Sequence, residues 1–253
     1  MTQRIILAKE YETWGTLVAT GKVPDTSHVF KYGYNAAIST STETVWTYGG
    51  EYNWLGAATV LKITSNHTDD DVAGDGALTL MVEGLDADYA EISETVILTG
   101  QVSKNTTKSY LRVHRMYVLT AGVSLTNVGE IFAFTGAHTT GDPDVSTTVH
   151  SHIAAGAGQT LQAFYTVPAA KTALMYTLNG TCSDNTNSIV LSLRTRLEGA
   201  AWRVKEQFAV HQGSVLINKQ FPKIITEKTD IEVQGLATGA VVVSASMDLV
   251  LST

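Results

Sequence analysis

From about residue 30 to its last residues the chain is a series of short segments in which apolar and polar side chains alternate, broken by Gly, Asn, Asp and Pro. The clearest is the final one, where Val241, Val243, Ala245, Met247, Leu249 and Leu251 share one face. Successive side chains of a strand point to opposite faces, so a period of two with one apolar face suits a sheet covered on one side and excludes an amphipathic helix. Segments 188–197 and 202–210 repeat the pattern, the second with Trp202, Val204, Phe208 and Val210 against Arg203, Lys205 and Gln207. A chain of this kind folds as layered antiparallel sheets.

Its 253 residues are long for one sandwich and natural for two of about 100 residues each. The reading is therefore all-β, with two tandem antiparallel β-sandwich domains of jelly-roll or immunoglobulin-like type and an N-terminal arm. The arm is 1–28, the first sandwich 29–136, a linker 137–157 and the second sandwich 158–253. The linker is placed by the turn chemistry of Thr139 to Pro143 and by the small residues from Ala154 to Gly158. In the arm, Leu7, Tyr11, Trp14 and Leu17 fall at helical spacing until Gly21 and Pro24 stop it. The alternative is an extended arm that docks Trp14 and Leu17 on a neighbour or on the chain's own sandwich.

Charge and cysteine usage narrow the setting. Residues 1–136 hold 15 acidic and 9 basic side chains, and 137–253 hold 9 and 8, so phosphate backbones are repelled by the first half and ignored by the second. Nucleic acid is not expected as a partner. Cys182 is the single cysteine, so no internal disulfide can form and a reducing site of synthesis fits. The opening residues lack a signal-peptide pattern, and no apolar run approaches the roughly 20 residues of a membrane span, so synthesis in the cytosol without a membrane partner is expected.

Few residues invite chemistry. Asp69, Asp71 and Asp75 crowd a Gly-containing turn that resembles a hard-cation loop, but an EF-hand opened at Asp69 would need a Glu where Leu80 stands and an oxygen ligand where Ala73 stands. A solvated hairpin turn is the simpler reading. His150 and His152 share a face if their segment is extended, giving two ligands of a transition-metal site that lacks the rest. No Gly-x-Ser-x-Gly elbow or phosphate-binding glycine loop occurs, and Glu91 and Glu94 fall on opposite faces of one strand, so neither an enzyme nor a cofactor is expected. Arg194 and Arg196 share a strand face with Glu206 at hairpin distance, as an ion pair or a clamp between subunits. Partner contacts fall to the aromatic residues: Trp14 and Leu17 in the arm, and Trp46, Tyr48 and Trp54 in presumed loops.

Six segments also carry a resemblance. Val45-Trp-Thr-Tyr-Gly-Gly-Glu-Tyr52, the Asp69 to Gly76 turn and Val82 to Gly100, followed by Gln159 to Pro168, Trp202 to Glu206 and Glu227 to Glu232, are together similar to a large family of structural proteins of tailed bacteriophages, mainly aquatic ones. The resemblance covers most of the chain from about Val29. It implies a virion protein, made in the host cytoplasm, whose partners are the major capsid protein or other virion proteins and further copies of itself, expected as a homotrimer. Within that family two roles stay open: a capsid decoration or cement protein on the outside of the head, or a tail, baseplate or fibre component that binds a receptor.

Overall fold

The structure, a computed structural model, describes residues 13–253. In chain order, helix α1 (Trp14–Ala19) precedes β1 (Thr26–Ile38), β2 (Glu43–Thr44), β3 (Thr59–Ser65), β4 (Ala77–Leu85), β5 (Glu91–Ile97), β6 (Lys104–Tyr110), β7 (Arg112–Ala121), β8 (Ile131–Phe134), β9 (His138–Thr139), β10 (Asp142–Pro143) and β11 (Val149–Ile153). Then come β12 (Phe164–Thr166), β13 (Thr172–Cys182), β14 (Ser188–Leu197), β15 (Arg203–His211), β16 (Gly213–Ile225), β17 (Thr229–Ala237) and β18 (Val241–Ser252).

These strands form two antiparallel β-sandwiches, the class read from the alternation. In one, the sheet β1-β18-β13-β16 lies over β12-β17-β14-β15, with β2 added to β17. Its core takes Met175 and Leu178 from β13, Ile189, Leu191 and Leu193 from β14, Ile231 and Val233 from β17, and the apolar face of β18. In the other, β11-β8-β3-β6 lies over β5-β4-β7 around Leu61, Ile63, Leu80, Val82, Val96, Tyr110 and Met116. All six alternating residues of β18 are buried, as expected of a strand flanked on both sides.

The path of the chain between the sandwiches differs from a simple series. Strand β1 pairs with β18 from Thr26↔Ser252 to Ile38↔Val241, and β2 pairs with β17 through Gln234↔Thr44. Residues 26–44, read from the sequence as the start of the first sandwich, thus belong with the C-terminal strands. One sandwich (β3–β11) is inserted into a connection of the other, between β2 and β12. The expected linker 137–157 contains β11, which is wholly buried and paired to β8, so much of it is structure of the inserted sandwich.

Strand β1 turns its polar residues inward. Lys31 and Asn35 are buried, whereas Phe30 and Tyr32 are exposed. Gly33 faces the same way as Lys31, and there the backbones nearly touch: a Cβ on Gly33 would stand 2.2 Å from Val45 O and 2.4 Å from Ala163 N, which are hydrogen-bonded to each other. No side-chain rotation relieves a clash with backbone. Gly33→Ala is therefore expected to cost more than about 3 kcal/mol in urea unfolding, while Ala36→Ser on the exposed face of the same strand leaves the midpoint unchanged.

Between Tyr110 and Thr120 the chain changes sheet. Tyr110 ends β6 and Arg112 begins β7 in the facing sheet, so the chain crosses from one sheet to the other at Leu111. Register shifts of β4 against β7 then place Val113 and Met116 in the core and leave Leu119 exposed. In the arm, Thr13 Oγ1 accepts from Thr16 N at 3.3 Å to cap α1, Leu17 and Val18 are buried, and the Trp14 ring rests 5.4 Å from that of Tyr176. Trp14 and Leu17 thus sit on a short helix against the chain's own sandwich. The expectation at Leu7 and Tyr11 lies outside the described residues.

Candidate functional site

The densest polar constellation lies where the two sandwiches meet, and it is built on β17. That strand sends Ile231 and Val233 into the outer core and Asp230, Glu232 and Gln234 to its other face, where all three are nevertheless buried. Their cover comes from neighbouring β14, from the segment after β2, and from the inserted sandwich. Arg112 of β7 forks onto Asp230, with Nε donating to Oδ1 at 2.9 Å and Nη2 to Oδ2 at 3.0 Å. Its Nη1 donates to the Leu55 and Leu111 carbonyls at 2.8 and 2.7 Å. Arg196 Nη2 reaches Asp230 Oδ2 at 2.7 Å, and Thr166 Oγ1 donates to Oδ1 at 2.6 Å. Such forked charge-assisted bonds fix orientation as well as charge.

One step along the strand the arrangement repeats. Glu232 accepts from Arg194 Nε at 2.9 Å, from Trp54 Nε1 at 3.3 Å and from Thr44 Oγ1. Burial raises its pKa, and the Arg194 guanidinium opposes that shift. Arg194 also bonds Glu51 at 3.0 Å. The three arginines interleave with two indoles: Arg112 lies 5.0 Å over Trp54, Arg196 stands 5.5 Å from Trp54 and 4.6 Å from Trp202, and Arg194 lies 4.3 Å over Trp202.

An aromatic chain continues the joint. Phe164 of the outer sandwich lies 4.1 Å from Tyr52, Tyr52 lies 5.2 Å from Trp46, and Trp46 lies 5.4 Å from Tyr48, which meets Phe132 of the inserted sandwich at 6.1 Å. Trp46, Tyr48 and Trp54, expected in partner-binding loops, are thus brought together at the joint between the chain's own sandwiches, Trp46 buried and Tyr48 and Trp54 half-buried. Trp46 is buried, with its indole N–H donating to Gly50 O at 3.2 Å. Arg112, Asp230, Glu232 and Trp202 were not singled out for this role from sequence. The available signal was the alternation of Asp230 and Glu232 with apolar residues on one strand and of Arg194 with Arg196 on another.

On β1, Lys31 is buried and its ammonium donates to the His114 carbonyl. Burial, with Arg115 nearby, lowers its pKa to about 7. His114 is half-buried with its ring centroid 4.2 Å from that of Tyr165, and desolvation, with Lys31 and Arg112 nearby, holds it well below the ordinary imidazole range.

The two histidines of β11 do not converge. A bulge between Val149 and Ser151 separates them. His150 stands 3.2 Å from Asn53 O and 3.3 Å from Thr135 Oγ1, whereas His152 stacks on Phe132 and bonds Thr47 Oγ1 at 3.0 Å. Burial lowers the His150 pKa from 6.5 to about 4. Between those values the unfolded chain binds a proton that the folded chain refuses, so stability falls as pH drops from about 6.5 to about 4. Urea unfolding is expected to lose about 3 kcal/mol from this group between pH 7 and pH 4, and His150→Gln should remove that part of the slope.

In the acidic turn the organising residue is Asp70. Its carboxylate is buried and accepts from Ser65 Oγ at 2.6 Å and from the backbone N–H of Ala77, Val128 and Gly129 at 2.8, 2.8 and 2.9 Å. Asp71 accepts from Ala73 N at 2.9 Å, and the exposed Asp69 lies 3.7 Å from His67 Nδ1. Asp75 is also exposed. Asp69, Asp71 and Asp75 therefore surround a turn whose shape is held by a fourth carboxylate. Among the described residues no three of His, Cys, Asp and Glu are grouped to hold a metal ion.

At the far edges of the outer sandwich, β15 and β16 each have one strand neighbour and one open side. A register shift between Leu193 and Arg194 sets Glu206 opposite Leu193, so the expected pairing of Glu206 with the arginines is replaced by one with Lys219 at 2.5 Å and Lys223 at 3.8 Å. Val204, Leu216, Phe221 and Ile224 are exposed along these two strands.

Neither a protein-family model nor a curated protein matches the chain. Among solved structures, the infectious bursal disease virus Gt strain is 11% identical over 93% of this chain and 76% of that one, with a TM-score of 0.23. The VP2 subviral particle of the same virus is 10% identical over 94% and 76%, also at 0.23, and T=1 particles derived from that virus are 12% identical over 94% and 74%, at 0.25.

Proposed function

We propose that this chain is a non-enzymatic structural protein of a virus particle, a rigid double-sandwich block that binds neighbouring subunits. One observation carries the reading: buried polar and aromatic groups weld the two sandwiches together, while the open edge strands β15 and β16 expose Val204, Leu216, Phe221 and Ile224. Unpaired edges with apolar residues are surfaces that an isolated soluble protein avoids and an assembling one uses. The sequence resemblance to structural proteins of tailed bacteriophages supports the same reading and narrows it to that kind of particle. Within it, a decoration or cement protein bound to the major capsid protein on the outside of the head is favoured, with copies grouped as a trimer over a threefold position. The alternative, a receptor-binding tail or fibre component, would display Trp46, Tyr48, Tyr52 and Trp54 in loops, and their packing at the internal joint weighs against it.

The test is to purify the particles, label them with an antibody to this chain, and weigh its amount against the major shell protein. Labelling over the head in numbers comparable to the shell protein is the expected outcome. Absence from the particles would overturn the reading, and a handful of copies at one vertex or on the tail would overturn the decoration role.

A further inference from the structure

The inserted sandwich carries a second exposed apolar patch, of opposite charge to the first. Three loops are laced by backbone hydrogen bonds: Val72 N donates to Leu98 O, Gly122 N to Gly76 O and Ser124 N to Asp75 O, at 3.2, 2.8 and 2.8 Å. Together they present Val72, Val102, Val123 and Leu125 to solvent, the last two at 83% and 86% exposure. Asp69, Asp71 and Asp75 surround this tip, and Asp70 holds its turn in place through four hydrogen bonds. An apolar tip this exposed has no role within one chain.

Its complement lies on the outer sandwich. Between the β14–β15 turn and the end of β16 runs an open groove of about 380 Å³. Leu197 and Ile224 (70% exposed) supply apolar surface, while Arg203, Lys205 and Lys223 supply the charge. Residues 203–225 hold four basic side chains and one acidic, whereas 69–75 hold four acidic and none basic. The joint fixes these patches relative to each other, so the complement available to each is the patch of a second copy.

We infer that copies of this chain associate head to tail, the acidic apolar tip of one inserted sandwich docking against the basic apolar groove at the β15–β16 edge of the next. The inference deepens the assembly reading above and names the surfaces. Two-fold pairing of like edges would oppose lysine to lysine, whereas the heterologous contact matches charge at both sides and continues from copy to copy until a ring closes or a filament grows.

Sedimentation velocity on the full chain, at low and at physiological salt, tests it. The wild-type chain should self-associate with rising concentration, more strongly at low salt. Arg203→Glu with Lys205→Glu should weaken association at least about tenfold, and Asp69→Lys with Asp75→Lys should do the same. Combining all four should restore it to within about threefold. Unchanged melting curves verify that each variant folds. A wild-type chain that stays monomeric to about 100 μM, either pair leaving association unchanged, or the fourfold variant remaining as weak as the pairs, overturns the contact. That outcome is separable from the particle test: absence from particles is compatible with copies that associate, and presence in them with copies that do not.

Discussion

Replacing Arg112 with alanine is expected to destabilise the chain by about 3–5 kcal/mol and to split its unfolding into two transitions. Arg112 begins β7 of the inserted sandwich, yet its guanidinium ends in the outer one, where it forks onto Asp230. Its removal strips Asp230 of two donors and leaves the Leu55 and Leu111 carbonyls without theirs. Asp230 keeps Arg196 and Thr166, which places the loss toward the lower end of that range. Arg112→Lys preserves the charge but not the planar fork, and should recover less than half of the loss. Two probes separate the effects in one urea titration: indole fluorescence follows the Trp54 and Trp202 stack, and far-ultraviolet circular dichroism follows the strands. The curves should coincide in the wild-type chain and diverge in the variant, with fluorescence changing first.

Deleting residues 241–253 should have a larger effect on one sandwich and little on the other. Strand β18 stands between β1 and β13, so its loss leaves both without a neighbour and empties six buried apolar positions from the outer core. No residual cooperative melting of the outer sandwich is expected. The inserted sandwich keeps all its strands and its own core, from Leu61 to Ile153, and should retain a melting transition. Dispersed amide resonances confined to residues within 47–158 would be the direct signature.

Much of this fold is legible along the chain and some of it is not, for a physical reason. A period of two reports which face of a strand is dry: on β18 all six alternating residues are buried, and on β14 Ile189, Leu191 and Leu193 are buried while Leu197, at the strand's end, is exposed. It does not report which strand lies alongside. Strand β1 alternates aromatic with polar residues, and it is Lys31, Gly33 and Asn35 rather than Phe30 and Tyr32 that face inward, because its inner side looks onto the joint. Bulges break the rule locally, moving Glu206 away from Arg194 and separating His150 from His152. The aromatic residues read as adhesive surface, but composition cannot distinguish adhesion to a partner from adhesion between two parts of one chain. Only the placement of Phe132 and Phe164 on different sandwiches reveals that Trp46, Tyr48 and Tyr52 lie between them.

The nesting of one sandwich within the other is the claim on which the joint, the rigid block and the paired surfaces all depend. Thermal unfolding of two fragments tests it: residues 159–253 alone, and residues 13–46 joined to 159–253 by a short Gly-Ser linker. The first fragment lacks β1 and β2 and should melt without cooperativity, while the second regains both and should show a single sharp transition. Equally sharp melting of 159–253 by itself would contradict the account, since the C-terminal strands would then need nothing from the chain that precedes them.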